Sequence, residues 1–269
     1  MKFSVLMSVY AKDRPEWLKE SLDSVFSQTF KADEVVLVID GPVGEDLRRV
    51  INETEKIHPE LKVAPLAENG GLGKALNHGL KICSNNIIVR MDADDISLPQ
   101  RFECLIDTFE RFPGVDAVSS WIDEFEDNPS NIVSSRKLPE FPYELGEFAR
   151  DRCPLNHPAS AFKKSSILLA GGYQHLPLYE DYYLWARMLK SGLRMYNIQK
   201  SLLLMRTSSD MYNRRGGWKY ARYSLNFLNE MHRMGFISRF RQIKLGLIRT
   251  TVCLIPGNVR KFIYRRILR

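Results

Sequence analysis

The opening third of the chain alternates short apolar runs with amphipathic segments. The runs Phe3 to Val9, Glu34 to Ile39, Leu61 to Pro65, Ile87 to Met91 and Val115 to Ser119 have strand length and are rich in β-branched residues. Between them, helical spacing of apolar positions marks Pro15 to Ser27, Glu45 to Ile57, Gly73 to Cys83 and Pro99 to Arg111. In the first of these, Trp17, Leu18, Leu22, Val25 and Phe26 share a face, and Pro15 suits an opening turn. This alternation predicts an α/β fold of β-α-β units. Its sheet should be largely parallel and flanked by helices, with loops at the strand ends available for chemistry.

The middle of the chain is less regular. Ala117 to Phe125 and Ile132 to Leu138, separated by Asp127-Asn128-Pro129-Ser130-Asn131, read as a hairpin. Pro139, Pro142 and Pro154 punctuate the next segment, leaving room for a short helix at Tyr143 to Arg150. The helical pattern returns from Ser165, breaks at Gly171-Gly172 and resumes from near Glu180 to Gly192. Two further helices, about Trp218 to Met234 and Phe236 to Val252, are expected in a basic helical C-terminal extension over residues 216–269, beyond a sheet-based domain over 1–215.

Charge sharpens this division. The 269 residues carry 39 Lys and Arg against 32 Asp and Glu, a net +7. Beyond Glu230 there are ten bases and no acid, so the first 230 residues net −3. A basic tail on an acidic body fits a peripheral anchor on an anionic membrane through 233–269 better than a surface that coats nucleic acid. The stripe Phe236, Phe240, Ile243 and Leu247 is expected to pack on the body, with an interfacial lipid face as the alternative. No apolar stretch approaches the roughly 20 residues of a membrane span. Cys83, Cys104, Cys153 and Cys253 are scattered without zinc-like spacing, and a reducing, cytoplasmic setting is the simplest reading.

Three acidic points could carry chemistry. In Arg90-Met91-Asp92-Ala93-Asp94-Asp95, at the end of a buried-looking strand, Asp92 and Asp94 share a face. Such hard oxygen ligands suit Mg²⁺ or Mn²⁺ bridging to a diphosphate; the alternative is an acidic turn whose Asp95 or Ser97 caps the next helix. Asp40, followed by Gly41-Pro42, stands where open α/β sheets bind nucleotides, and is equally good turn chemistry. Glu180 and Asp181 open a helix beside Tyr182 and Trp185: a general base, or acids attracted by the helix dipole. The run Asn69-Gly70-Gly71-Leu72-Gly73-Lys74 fits neither the phosphate-loop nor the dinucleotide pattern, although Lys74 at a helix start favours an anion. His157, beside Pro158, reads as structural.

Taken together, these residues resemble the family 2 glycosyltransferases of the GT-A fold. The ordered matches are Ser4-Val5-Leu6-Met7-Ser8-Val9-Tyr10, Asp40-Gly41, Asn69-x-Gly71 with Ala75-x-Asn77, Asp92-Ala93-Asp94, and Gly171-Gly172-Tyr173 followed by Glu180-Asp181-Tyr182-x-Leu184-Trp185, spanning about residues 3–207. The resemblance implies a GT-A-like nucleotide-binding sheet. Asp40 would meet the uracil or ribose of a UDP-sugar, Ser8 and Tyr10 would line the base pocket, and Asn69, Lys74 and Asn77 would join the donor site. Asp92 would face ribose or metal-bound phosphate, Asp94 would ligate Mn²⁺ or Mg²⁺, and Asp181, supported by Glu180, would deprotonate the acceptor. Asp40 is followed by Gly41-Pro42 where many relatives carry a second acid. The Gln-x-x-Arg-Trp signature of processive synthases is absent, since Arg214-Arg215-Gly216-Gly217-Trp218 does not fit it.

The expectation is an inverting, metal-dependent, single-addition transferase. It would move a hexose or N-acetylhexosamine from a nucleotide sugar to a glycan or lipid-linked acceptor in cell-surface polysaccharide or lipopolysaccharide synthesis, peripherally on the cytoplasmic face of the membrane. The alternatives are a sugar nucleotidyltransferase, or a nucleic-acid-binding module using the basic end, against which the acidic body weighs.

Overall fold

The computed structural model describes residues 1–207 and 216–255. Four strands, β1 (Phe3–Val9), β2 (Glu34–Ile39), β3 (Leu61–Pro65) and β4 (Ile87–Arg90), pair in parallel in the order β3-β2-β1-β4. They are linked by α1 (Pro15–Phe26), α2 (Glu45–Ile57) and α3 (Leu72–Ile82), as the pattern predicts. Every residue of β2 is buried, because the odd positions Val35, Leu37 and Ile39 face one core and the even positions Val36 and Val38 face another.

The rest of the sheet departs from the expected parallel arrangement. It is built from β5 (Ile96–Ser97), β6 (Ala117–Phe125), β7 (Ile132–Arg136), β8 (Ala161–Lys163) and β9 (Met195–Arg206). β8 runs antiparallel to both β4 and β6, β7 antiparallel to β6, and β5 antiparallel to β9, while β6 and β9 are parallel. The sheet is therefore mixed. Parallel neighbours need a crossover of a dozen residues or more, and a hairpin such as β6–β7 cannot supply one.

Helices cover both faces. α1, α2 and α4 (Arg101–Arg111) bury Leu18, Leu22, Leu47, Ile51, Phe102 and Leu105 against one. α3, α6 (Lys164–Leu169) and α7 (Glu180–Lys190) bury Leu76, Leu80, Ile167, Leu184 and Trp185 against the other. α3 lies very close to the sheet at Gly79, where a Cβ would fall 2.3 Å from a Leu6 methyl carbon. Glycine there lets the helix seat its N-terminus over the C-terminal edge of the parallel strands. A short helix, α5 (Pro142–Phe148), completes the middle segment.

The C-terminal extension contributes α8 (Gly217–Arg233) and α9 (Arg239–Leu254), the latter capped by the Ser238 hydroxyl, which accepts the Arg241 N–H at 3.2 Å. Phe227, Leu228, Met231, Ile237 and Leu245 form one cluster with Leu176, Tyr179, Tyr182 and Ala186, so this pair packs directly on α7. The apolar stripe expected to pack there divides instead. Phe236 is partly buried, whereas Phe240, Ile243 and Leu247 are 79, 52 and 67% exposed. The reason is that Leu245 and Gly246, on the opposite side of α9, already fill the contact with α7 and α8. The basic charge is partly spent as well: Arg241 pairs with Glu147 and Asp151, and Arg233 with Glu230. Arg260, Lys261, Arg265, Arg266 and Arg269 of the expected anchor lie outside the described residues, as do Arg214 and Arg215. No described helix is long and apolar enough to cross a membrane.

Candidate active site

The predicted residues gather at the C-terminal edge of β1, β2 and β4. Beyond β2, Asp40 Oδ1 accepts the Gly70 N–H at 2.7 Å and Oδ2 that of Gly71 at 3.0 Å, while Asn69 Nδ2 donates to the Asp40 carbonyl at 3.1 Å. Gly41 makes this meeting possible: its φ is +82°, and a Cβ there would fall 2.5 Å from the Asn69 nitrogen. Asp40 thus anchors the glycine turn, and each carboxylate oxygen keeps a further lone pair for a donor molecule. Lys74 is exposed at the start of α3, its side chain folded over Gly70. Asn77 bonds within the protein. Its carboxamide accepts the Tyr173 N–H at 2.9 Å and donates to the Tyr173 carbonyl at 2.7 Å, so it holds the turn before α7.

Beyond β4, the acidic turn rests on two fully buried arginines. Arg90 Nη1 donates to the Leu6 carbonyl at 3.1 Å and Nη2 pairs with Asp92, whose side chain is 31% exposed. Arg101 Nη2 donates to the Pro158 carbonyl at 2.9 Å, and burial pushes its guanidinium down to about 9, against the pull of Asp95. Arg206, at the end of β9, clasps the turn from outside: its N–H donates to Asp95 at 2.9 Å, its Nε to the Asp94 carbonyl at 3.1 Å, and its guanidinium pairs with Glu20 between the rings of Trp17 and Phe125. Asp13, absent from the predicted set, joins the cluster. It accepts the Tyr10 N–H at 2.9 Å, and burial, with Asp94 and Asp92 adding, raises its carboxyl to about 7. Ser8 is half-buried and Tyr10 exposed at the end of β1 beside this group.

Asp181 stands on the first turn of α7, where Cys153 Sγ approaches its Oδ2 at 4.0 Å. Glu180 faces the other way: a Cβ at Gly73 would lie 3.6 Å from Glu180 Cγ, against the N-terminus of α3. Burial raises the Glu180 carboxyl, with Asp181 adding to the effect. Between the base candidate and the acidic turn lies a buried pair, His157 Nε2 and Tyr173 Oη, 2.9 Å apart. Burial lowers His157 to about 4, Arg90 adding and both Asp181 and Asp92 opposing. His157 and Asp181 line one cavity, and close by the Ser160 carbonyl takes the N–H of Arg90, whose side chain pairs with Asp92.

The residues fit a divalent cation. Burial and the neighbouring Asp92 raise the Asp94 carboxyl, and Asp13 is raised beside it: negative charge packed without a full complement of cations, in hard oxygen donors. Among the described residues no group of three or more His, Cys, Asp or Glu is placed to hold a metal by itself. A Mg²⁺ or Mn²⁺ ion held by one or two carboxylates completes its shell with water and substrate phosphate.

Comparison with known proteins points the same way. The model of glycosyl transferase family 2 matches residues 4–167. The chain is 40% identical over 269 residues to the UDP-Gal:alpha-D-GlcNAc-diphosphoundecaprenol beta-1,3-galactosyltransferase of Escherichia coli, covering all of this chain and 97% of that one. It is 40% identical to the amylovoran biosynthesis glycosyltransferase AmsE of Erwinia amylovora, over 98% of each. Among solved structures, the mannosyltransferase PcManGT of Pyrobaculum calidifontis, in complex with GDP-Man and Mn²⁺, superposes with a TM-score of 0.67 at 18% identity, covering 93% of this chain and 69% of that one. The fold is that of the GT-A glycosyltransferases, and the chain belongs to glycosyl transferase family 2 as a glycosyltransferase.

Proposed function

We propose that this glycosyltransferase transfers a single hexose or N-acetylhexosamine, with inversion, from a UDP-sugar to a lipid-linked glycan acceptor in cell-surface polysaccharide synthesis. The observation that supports this reading is the short turn that carries His157: it lines one cavity with Asp181, and its Pro158 and Ser160 carbonyls take Arg101 and the N–H of Arg90, the arginine that pairs with Asp92. The E. coli relative, whose name couples a UDP-sugar to a diphosphoundecaprenol-linked acceptor, supports the choice of substrates. The family favours this reading over nucleotidyl transfer or nucleic-acid binding.

In this scheme the Asp40-anchored turn and the end of β1 receive the nucleoside. Asp94 and Asp92 would hold Mn²⁺ or Mg²⁺, whose charge offsets that developing on the departing UDP. Asp181 takes the proton of the attacking hydroxyl as the new glycosidic bond forms on the face opposite the leaving group. Glu180 orders the junction of α7 with the glycine turn. The exposed apolar residues of α9, flanked by Arg239 and Lys244, would lie on the cytoplasmic membrane surface next to a lipid-bound substrate.

The direct test is donor turnover in Asp94→Ala and Asp181→Asn. Each is expected to fall at least about a hundredfold, the usual loss when charge stabilisation or a general base is removed. Near-wild-type rates in both variants would refute the assignment.

A further inference from the structure

A cavity of about 560 Å³ opens between Asp181 and the C-terminal helix pair. It has the size of a small-ligand site, and its lining is mixed. Asp181, His157 and Asn156 of the body line it, and α9 contributes Lys244, Leu245, Ile248 and Val252. On its wall, beside the buried Glu124, Asn156 and Ser224 are almost fully buried and each keeps an atom for a further hydrogen bond. Asn156 Nδ2 donates to the Ser120 carbonyl at 2.8 Å, which fixes the carboxamide, while its Oδ1 has no hydrogen-bond partner; nor has Ser224 Oγ on α8. Buried polar atoms are seldom left so, and a pair bordering one cavity marks a place where a ligand's hydroxyls complete the bonding.

The charge of the cavity adds a second signature. On its wall Arg136 donates to the Cys153 carbonyl at 2.9 Å, and Arg249 donates to the Asp151 carbonyl at 2.9 Å beneath the rings of Tyr179, Tyr182 and Phe227. Lys244 lines the same cavity and takes part in no ion pair among the described residues. The helix that carries it turns Phe240, Ile243 and Leu247 outward.

We infer that this cavity seats the acceptor as a sugar diphosphate. Asn156 and Ser224 bind the acceptor sugar's hydroxyls near Asp181, Lys244 binds the diphosphate, and the apolar edge of α9 leads the lipid chain out to the membrane. The inference rests on the proposed function and adds to it the residues that select the acceptor. It makes α9 at once the wall of the acceptor site and the surface on which the enzyme lies.

The test is equilibrium binding to the full-length protein of three probes: N-acetylglucosamine diphosphate esterified to an eleven-carbon alkyl chain, the undecyl glycoside of the same sugar without phosphate, and UDP with Mn²⁺. Lys244→Ala is expected to weaken the diphosphate probe by about tenfold, the scale of a lost charge-assisted contact, and to leave the glycoside and UDP unchanged. Ser224→Ala is expected to weaken both sugar probes by roughly three- to tenfold, and UDP not at all. If the diphosphate probe fails to bind the wild type, or binds Lys244→Ala as tightly, the inference is overturned while UDP binding leaves the proposed function standing. Failure of UDP with Mn²⁺ to bind would instead remove the proposed function, and the inference with it.

Discussion

Glu34 opens β2 with its carboxylate nearly enclosed, taking the Lys62 ammonium at 2.6 Å together with the Ser4 hydroxyl and the Ser84 N–H. Burial alone would raise this acid, but the three partners outweigh it and bring it from an ordinary 4.5 down to about 2. The folded state therefore favours the ionised form. Its contribution is complete above about pH 4.5 and is lost as the pH falls towards 2. Allowing for the solvent around Lys62, it amounts to roughly 2 kcal/mol at neutral pH. Glu34→Gln should lower the urea midpoint at pH 7, and the gap from the wild type should shrink steadily by pH 3; a gap independent of pH would show that the charge is immaterial. Nothing in the sequence distinguished Glu34 from any polar residue at a strand start, because its partners come from positions 4, 62 and 84. Asp92, Asp94 and Asp181 were legible because each sits at the end of an element with a recognisable pattern. Asp13, three residues after Tyr10 and two before a helix-opening proline, carried only the signal of a turn.

The acidic turn depends on β9, the element least visible in the sequence. Its pairing with β6 jumps from Ile198 opposite Ser120 to Ser201 opposite Trp121, so Gln199 and Lys200 are looped out and the period of two is broken. A twelve-residue strand with that interruption reads as two short fragments, and β5 and β8, of two and three residues, offer no period at all. The parallel half was legible because its strands are uninterrupted, with odd and even positions feeding different cores. β9 ends in Arg206, whose backbone N–H holds the Asp95 carboxylate while its side chain holds the Asp94 carbonyl and Glu20 on α1. Arg206→Ala keeps the first of these contacts and removes the other two, which should cost about 2 kcal/mol. Thermal unfolding should show a drop of several degrees. The stabilisation conferred by UDP with Mn²⁺ should fall as well, because the turn proposed to hold the phosphates is released. A variant with unchanged melting temperature and unchanged nucleotide response would show that the turn is held by Arg90 and Arg101 alone.

At the scale of the molecule, the acidic body and basic end foreseen from composition turn out to be tightly joined. The stripe on α9 was hard to assign because the helix is apolar on two sides: Leu245 faces α7 and α8, while Phe240, Ile243 and Leu247 face outward. Helical periodicity reports that faces exist, not which of them meets protein. Replacing Phe240, Ile243 and Leu247 together by Ser should leave folding intact, since all three are exposed, and should reduce co-sedimentation with anionic phosphatidylglycerol vesicles by at least about tenfold. Equal sedimentation of the variant and the wild type would remove the membrane assignment of this face.

The stacking of Phe227 on Tyr179, at 4.5 Å between ring centroids, ties α8, and with it α9, to the residue just before Glu180 and Asp181. Fragments cut ahead of position 217 would bare the aromatic flank beneath Asp181 and lose about a third of the cavity wall, so they are poor reagents for crystallography or screening. The same arrangement makes the tail a modular lever for engineering. Grafting residues 217–255 of one relative onto the body of another, with the aromatic contact preserved, should exchange the choice of recipient molecule while the choice of nucleotide stays with the host.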